Sequence, residues 1–177
     1  MLPARSPARI HRNGAGDSVA TVRPDIPIYV IFLESRPRRL PLYTLLHIVH
    51  VDIHIHAASD LRELMASDPV ATTIVVAVLE QIQCDPLIID KLTDHGRTNT
   101  TGAFKLGIKR WESMRGTSNL WRFRIFDTPA TSYRVVYGYH WQTRQIIVFA
   151  VVHKSRFDYD NPNDELNQRI ANDWKSL

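Results

Sequence analysis

Apolar and polar residues alternate most strictly in the last third of the chain. Over residues 120–126, LWRFRIF, the residues Trp121, Phe123 and Ile125 fall on one side of an extended backbone and Arg122 and Arg124 on the other, because strand side chains repeat every two residues. Residues 132–140 are rich in tyrosine and valine, which suits a pleated surface. That run sets Arg134 on the face opposite Tyr133, Val135 and Tyr137. Residues 145–152 are an unbroken apolar run, as expected of a central strand covered on both faces. The pattern predicts three consecutive antiparallel strands. A basic segment follows at once: His153, Lys154, Arg156 and then Tyr159. Strands paired in sequence order would gather four or five cations and a tyrosine on one patch.

Earlier in the chain the pattern is more varied. Residues 49–56, VHVDIHIH, alternate as a strand with Val49, Val51, Ile53 and Ile55 on one face and His50, Asp52, His54 and His56 on the other. Ser59 is placed to cap a first helix. Asp68-Pro69 ends it and opens a second over 70–83, whose apolar residues keep helical spacing. Its many β-branched residues leave a strand over 72–79 as the competing reading. LIIDKL is a short helical or extended connector, and 94–102 is a loop by composition. The segment 103–111 alternates again, with Phe104, Leu106 and Ile108 opposing Lys105, Gly107 and Lys109. A terminal helix has Asn161 as its expected cap, Pro162 at its first position and an apolar stripe of Leu166, Ile170 and Trp174. Residues 26–33 read as a short edge strand limited by Pro27.

The expected fold is therefore α+β: an N-terminal strand, a helical hairpin, an antiparallel sheet of three to four further strands and a C-terminal helix. Residues 1–47 read as a basic, disordered or peripheral extension, and residues 48–177 as the folded domain.

Charge sharpens this picture. The chain is +4 overall. Residues 97–156, however, carry eleven Lys/Arg against two Asp/Glu. A positive field concentrated on the strand block attracts polyanions, nucleic-acid phosphates above all. The single cysteine, Cys84, excludes an internal disulfide and a cysteine-based zinc site. No apolar run reaches the length of a membrane span, and the expected setting is cytoplasmic. His54 and His56 project from one side of the predicted strand and invite a metal. Two imidazoles without a third ligand at a defined place read as a polar strand face, so no metal or cofactor is expected.

The order strand, two helices, antiparallel strands and terminal helix, with NLWRFRIFD, SYRVVY, IIVFAVV and HKSRFDY in series, resembles the RelE/ParE superfamily of type II toxin–antitoxin toxins. The resemblance spans about residues 49–174. It implies a small ribonuclease that cuts mRNA on the ribosome through a basic, aromatic sheet surface and is neutralised by a cognate antitoxin. Matched residue by residue, it implies Arg122, Arg124, Arg134, Arg156 with Lys154 as the other option, and Tyr159 as the site. The family pattern often has lysine where this chain has Arg122 and Arg124. Arginine binds phosphate bidentately but is a poor base, so His153 or Lys154 is left to take the proton of the 2′-hydroxyl. Tyr159 would stack on a base or orient the nucleotide. Two other readings share the fold: a ParE-like toxin that inhibits a topoisomerase by binding, and a non-catalytic nucleic-acid-binding domain.

Overall fold

A computed structural model describes residues 50–85 and 87–177. The expected strand over 26–33 and the extension 1–47 lie outside the described residues. The fold is α+β. Strand β1 (His50–Ile53) leads into helices α1 (Ile55–Ser67), α2 (Pro69–Cys84) and α3 (Ile88–Leu92). Strands β2 (Thr98–Thr101), β3 (Phe104–Arg110), β4 (Leu120–Ile125), β5 (Tyr133–His140) and β6 (Gln145–His153) follow, then helix α4 (Glu165–Lys175). The strands form one sheet in the order β1-β6-β5-β4-β3-β2. β1 runs parallel to β6, and the remaining pairs are antiparallel.

Five strands follow the helices rather than three or four. The additional one, β2, lies in the segment whose composition predicts a loop. Its residues are TNTT. It is an edge strand held to β3 by backbone pairing, Thr98 against Gly107 through Thr101 against Phe104, and it has no apolar alternation to announce it.

The first strand is also shorter than expected. It ends at Ile53, and the chain turns into helix two residues later. His54, not Ser59, is the α1 cap. Its Nδ1 accepts from the His56 backbone N–H at 3.4 Å, while its own N–H reaches Val148 O at 2.9 Å. α2 is helical throughout in spite of its β-branched residues. Asp68 accepts from Ala71 N–H at 3.0 Å and Pro69 fills the first turn, the arrangement that favours helix initiation. α4 begins at Glu165 with Asp164 as cap, accepting from Leu166 and Asn167 N–H. Asn161, the expected cap, instead takes the Asn163 N–H at 3.0 Å and closes a turn ahead of the helix.

The sheet has a core on each face. Trp121, Phe123, Ile125, Val135, Tyr137 and Val148 face α1, α2 and α3 and pack with Leu61, Val75, Leu79, Ile82 and Leu92. Leu120, Val136, Ile147, Phe149 and Ala150 face the other way, against Ile170 of α4 and the Trp111–Phe157 pair. β6 contributes to both, as its unbroken apolar run predicts. Gly138 lets α4 come close. A Cβ there would stand 2.4 Å from Trp174 Cζ3 and 3.0 Å from Phe149 Cε2.

A β-bulge sits where β5 meets β6. Val136 pairs with Ala150, and Tyr137 pairs with Val148, so Phe149 is skipped. Phe149 and Ala150 therefore join the same core although adjacent in sequence. The bulge reverses the alternation beyond it. Val151 turns back toward α1, with consequences for the basic segment that follows.

Candidate functional site: a basic cleft on the uncovered sheet face

α4 covers the β5–β6 side of its face and leaves β3 and β4 open. On the open part, cross-strand register sets Lys109 opposite Arg122 and Gly107 opposite Arg124. Alternation along β5 brings Arg134 to the same face as Val136 and Arg122. After β6 the chain passes through a 3₁₀ turn (Lys154–Arg156) and lays Phe157 and Tyr159 against Trp111. The result is a cleft of about 390 Å3 lined by Arg97, Lys109, Arg122, Arg124, Arg134 and Lys154, with Phe126, Phe157 and Tyr159 among its walls. No aspartate or glutamate lines it. Arg97 pairs with Asp94 at 3.5 Å. The other five cations have no carboxylate partner among the described residues. Like charges directly opposite in a sheet are destabilising, so the cluster is held against its own repulsion.

Two of the arginines stack on aromatic rings. The Arg122 guanidinium carbon lies 3.4 Å from the centre of the Tyr159 ring, and that of Arg124 lies 4.1 Å from the Phe126 ring. Cation–π stacking fixes each planar fork while leaving its N–H edges free for an acceptor. Gly107 makes room for the second pair. A Cβ at that position would meet Phe126 Cε2 at 2.7 Å and Arg124 Nε at 3.2 Å.

A Gly107→Ala variant is therefore expected to push both side chains out of place. The fold should survive, because overpacking costs about 1–3 kcal/mol and relief of strand glycine entropy returns about 0.5–1 kcal/mol. Urea unfolding and RNA-binding anisotropy on the same sample check this. The expected result is a small shift of the midpoint with a clear loss of affinity.

Arg134 is half-buried. Its Nη1 donates to Thr131 O at 2.9 Å and to Tyr133 O at 2.8 Å. These bonds use two of the five guanidinium donors and anchor the head at the floor of the cleft. Burial lowers its pKa, and the positive charges of Arg124 and Arg122 lower it further, against an opposing pull from Tyr159. Arginine remains charged at neutral pH under such shifts. The Tyr159 hydroxyl is pushed up by burial, and Arg122 and Arg134 only partly oppose that. It is a neutral phenol at pH 7. Arg122 lies over the ring face, and the buried hydroxyl has no partner in hydrogen-bonding geometry.

Of the six residues singled out in the sequence, Arg122, Arg124, Arg134, Lys154 and Tyr159 line this one cleft. Arg156 does not. It lines a separate concavity of about 410 Å3 with Asp60, Glu63, Tyr133 and His153. His153 lies there for the reason given by the bulge: it shares the α1 side with Val151. Its ring packs edge-on to Tyr133 at 5.3 Å, and its Nδ1 meets Ser155 Oγ at 2.7 Å. Of the two bases considered, only Lys154 faces the cleft. Tyr159 has one face taken by Arg122, so its position suits holding that arginine better than stacking on a base. Sequence reading missed Arg97, Lys109 and Phe126 as cleft residues. The register of β3 on β4 is what brings Lys109 beside Arg122, and alternation alone does not set it.

No protein-family model matches this chain, and no curated protein and no solved structure does so either. Among the described residues no helix is long and apolar enough to cross a membrane.

Proposed function

We propose that the cleft binds the phosphate backbone of single-stranded RNA, and that the chain acts as a RelE-like toxin that cleaves mRNA on the ribosome in the cytoplasm. One observation carries this reading: five cations without a carboxylate partner line a single cleft walled by aromatic rings. Positive grooves interleaved with aromatics suit single-stranded nucleic acid. A cleft of this volume falls in the range of small-ligand sites, so it admits a nucleotide or two rather than a duplex.

In the proposed reaction the 2′-hydroxyl attacks the adjacent phosphorus, and the 5′-oxygen leaves. Arg124 and Arg134, with Arg122 stacked on Tyr159, would hold the equatorial oxygens as charge builds on them. The lining residues include no histidine and no carboxylate. Lys154, the first residue of the turn after β6, would therefore take the proton of the 2′-hydroxyl, and the departing 5′-oxygen would take one from solvent water. The absence of a histidine or carboxylate from this lining also favours a second reading, binding without cleavage. An antitoxin that silences the cleft would have to bring acidic side chains to it, since charge complementarity is what such a surface demands.

The test is inducible expression with mapping of mRNA 5′ ends, in parallel with RNA binding by the purified chain. New 5′ ends that vanish in Arg124→Ala and Lys154→Ala variants are the expected result. RNA binding with no new ends selects the second reading. Growth arrest unchanged in both variants removes the ribonuclease.

A further inference from the structure

We propose that His54, His56 and Asp173 form a site for a divalent transition metal, Zn2+ or its close analogues, that ties the start of α1 to the terminal helix. The three residues come from distant parts of the chain. His54 caps α1, His56 stands in its first turn, and Asp173 belongs to α4, 117 positions from His56. Turning from strand to helix after Ile53 is what brings the two imidazoles together. Their ring centres are 5.0 Å apart. Asp173 Oδ2 lies 2.8 Å from His56 Nδ1 and 3.3 Å from His54 Nδ1. All three candidate donor atoms fall within 4.8 Å of one another.

The 3.3 Å separation at His54 suits a tetrahedral centre, and the 2.8 Å contact at His56 is a hydrogen bond that a metal would replace. Zinc–nitrogen and zinc–oxygen bonds of about 2.0–2.2 Å place neighbouring ligand atoms about 3.3 Å apart. Two imidazoles and a carboxylate match zinc, cobalt or nickel, whereas magnesium and calcium prefer all-oxygen sites.

His54 Nδ1 lies 3.4 Å from the His56 N–H and 3.3 Å from Asp173 Oδ2. Its one lone pair serves either the amide or a metal, so metal binding gives up this long capping bond. Asp173 is buried, with its side chain 9% exposed, and has no lysine or arginine partner among the described residues. His56 is exposed at 47%, which leaves an entry path and room for water as the fourth ligand. The Phe149 ring backs His54 at 5.8 Å and shields the inner side. Three ligands beside a helix N-terminus, whose dipole opposes a cation, bind less tightly than closed four-ligand sites. The affinity expected is on the order of micromolar.

The function of the centre is to fasten α4. That helix presses Trp174 over Gly138 and Phe149 beside the basic cleft. The test uses the 177-residue chain freed of metal by a chelator. Titration with ZnCl2 in a calorimeter is expected to show one saturable site, and CoCl2 is expected to give visible d–d bands of a low-coordinate centre. His56→Ala and Asp173→Asn should each weaken Zn2+ binding tenfold or more, and His140→Ala should leave it unchanged. Zinc should raise the melting temperature of wild type but not of His56→Ala. Should Asp173→Asn fail to fold, His54→Gln takes its place, since glutamine keeps a polar side chain at the start of α1. Absence of a saturable Zn2+ site, or affinity unchanged in these variants, leaves the three residues as a hydrogen-bonded cluster only and overturns the proposal. None of these readouts involves RNA.

Discussion

An Arg134→Ala variant is expected to bind single-stranded RNA about 10- to 100-fold more weakly than wild type at low salt, while Arg156→Ala changes the affinity by less than about twofold. Both residues are arginines in the same basic stretch, and a site defined by composition would treat them alike. The structure separates them. Arg134 is anchored by two carbonyls and lines the cleft with Arg122 and Arg124, whose charges act on it. Arg156 opens onto a different concavity that also holds Asp60 and Glu63. Hydrogen bonds to charged groups contribute about 1.5–3 kcal/mol, which sets the size of the first effect. Fluorescence anisotropy across a salt series checks it. Each phosphate contact removed should flatten the log–log salt slope by about 0.7 for a single strand. Arg134→Ala should flatten the slope, and Arg156→Ala should not. Equal losses in the two variants would mean that the RNA follows the general charge of the molecule and that the cleft is not the site.

That contrast shows where the sequence was legible and where it was not. Alternation over residues 120–126 and 132–140 placed Arg122, Arg124 and Arg134 on the face away from Trp121, Phe123, Val135 and Tyr137, and the structure has them there. The convergence expected of the segment after β6 holds for Lys154 and Tyr159 but not for His153 and Arg156. A bulge at Phe149 adds one residue, and every side chain beyond it changes face. Composition marks no bulge within an all-apolar run. α2 was legible through its ends: Asp68 and Pro69 fix a helix start that its β-branched interior leaves open. β2 was not, because an edge strand of threonines and asparagine is held by backbone bonds that any sequence can make. The histidine pair was noticed, but on a strand and without its carboxylate. The partner lies on α4, and only the packing of that helix against the α1 start brings it within reach.

The largest effect on stability is expected at Asp60. β1 pairs with β6 only as far as Ile53 against Val148. Beyond that point the outer edge of β6 has backbone groups with no strand beside them. Asp60 of α1 takes over: its Oδ2 accepts the Val151 N–H at 3.1 Å. Arg169 of α4 completes the patch with a two-pronged pair to the same carboxylate, at 3.0 and 2.8 Å, and reaches Phe149 O at 3.4 Å. The pair is largely shielded, with side chains 13% and 28% exposed. Removing one partner of such a pair leaves an uncompensated charge, which costs about 3–5 kcal/mol when fully buried. The unpaired Val151 N–H adds to that. Allowing for the partial exposure, Asp60→Ala should lose about 3 kcal/mol. Arg169→Met in the same chain should return part of it, because the stranded charge is then gone and only the amide remains unpaired. Urea unfolding of the two variants, with unchanged m-values, measures both steps. A double variant no more stable than Asp60→Ala alone would show that the cost lies in the β6 edge amide, and that Arg169 contributes nothing through its charge.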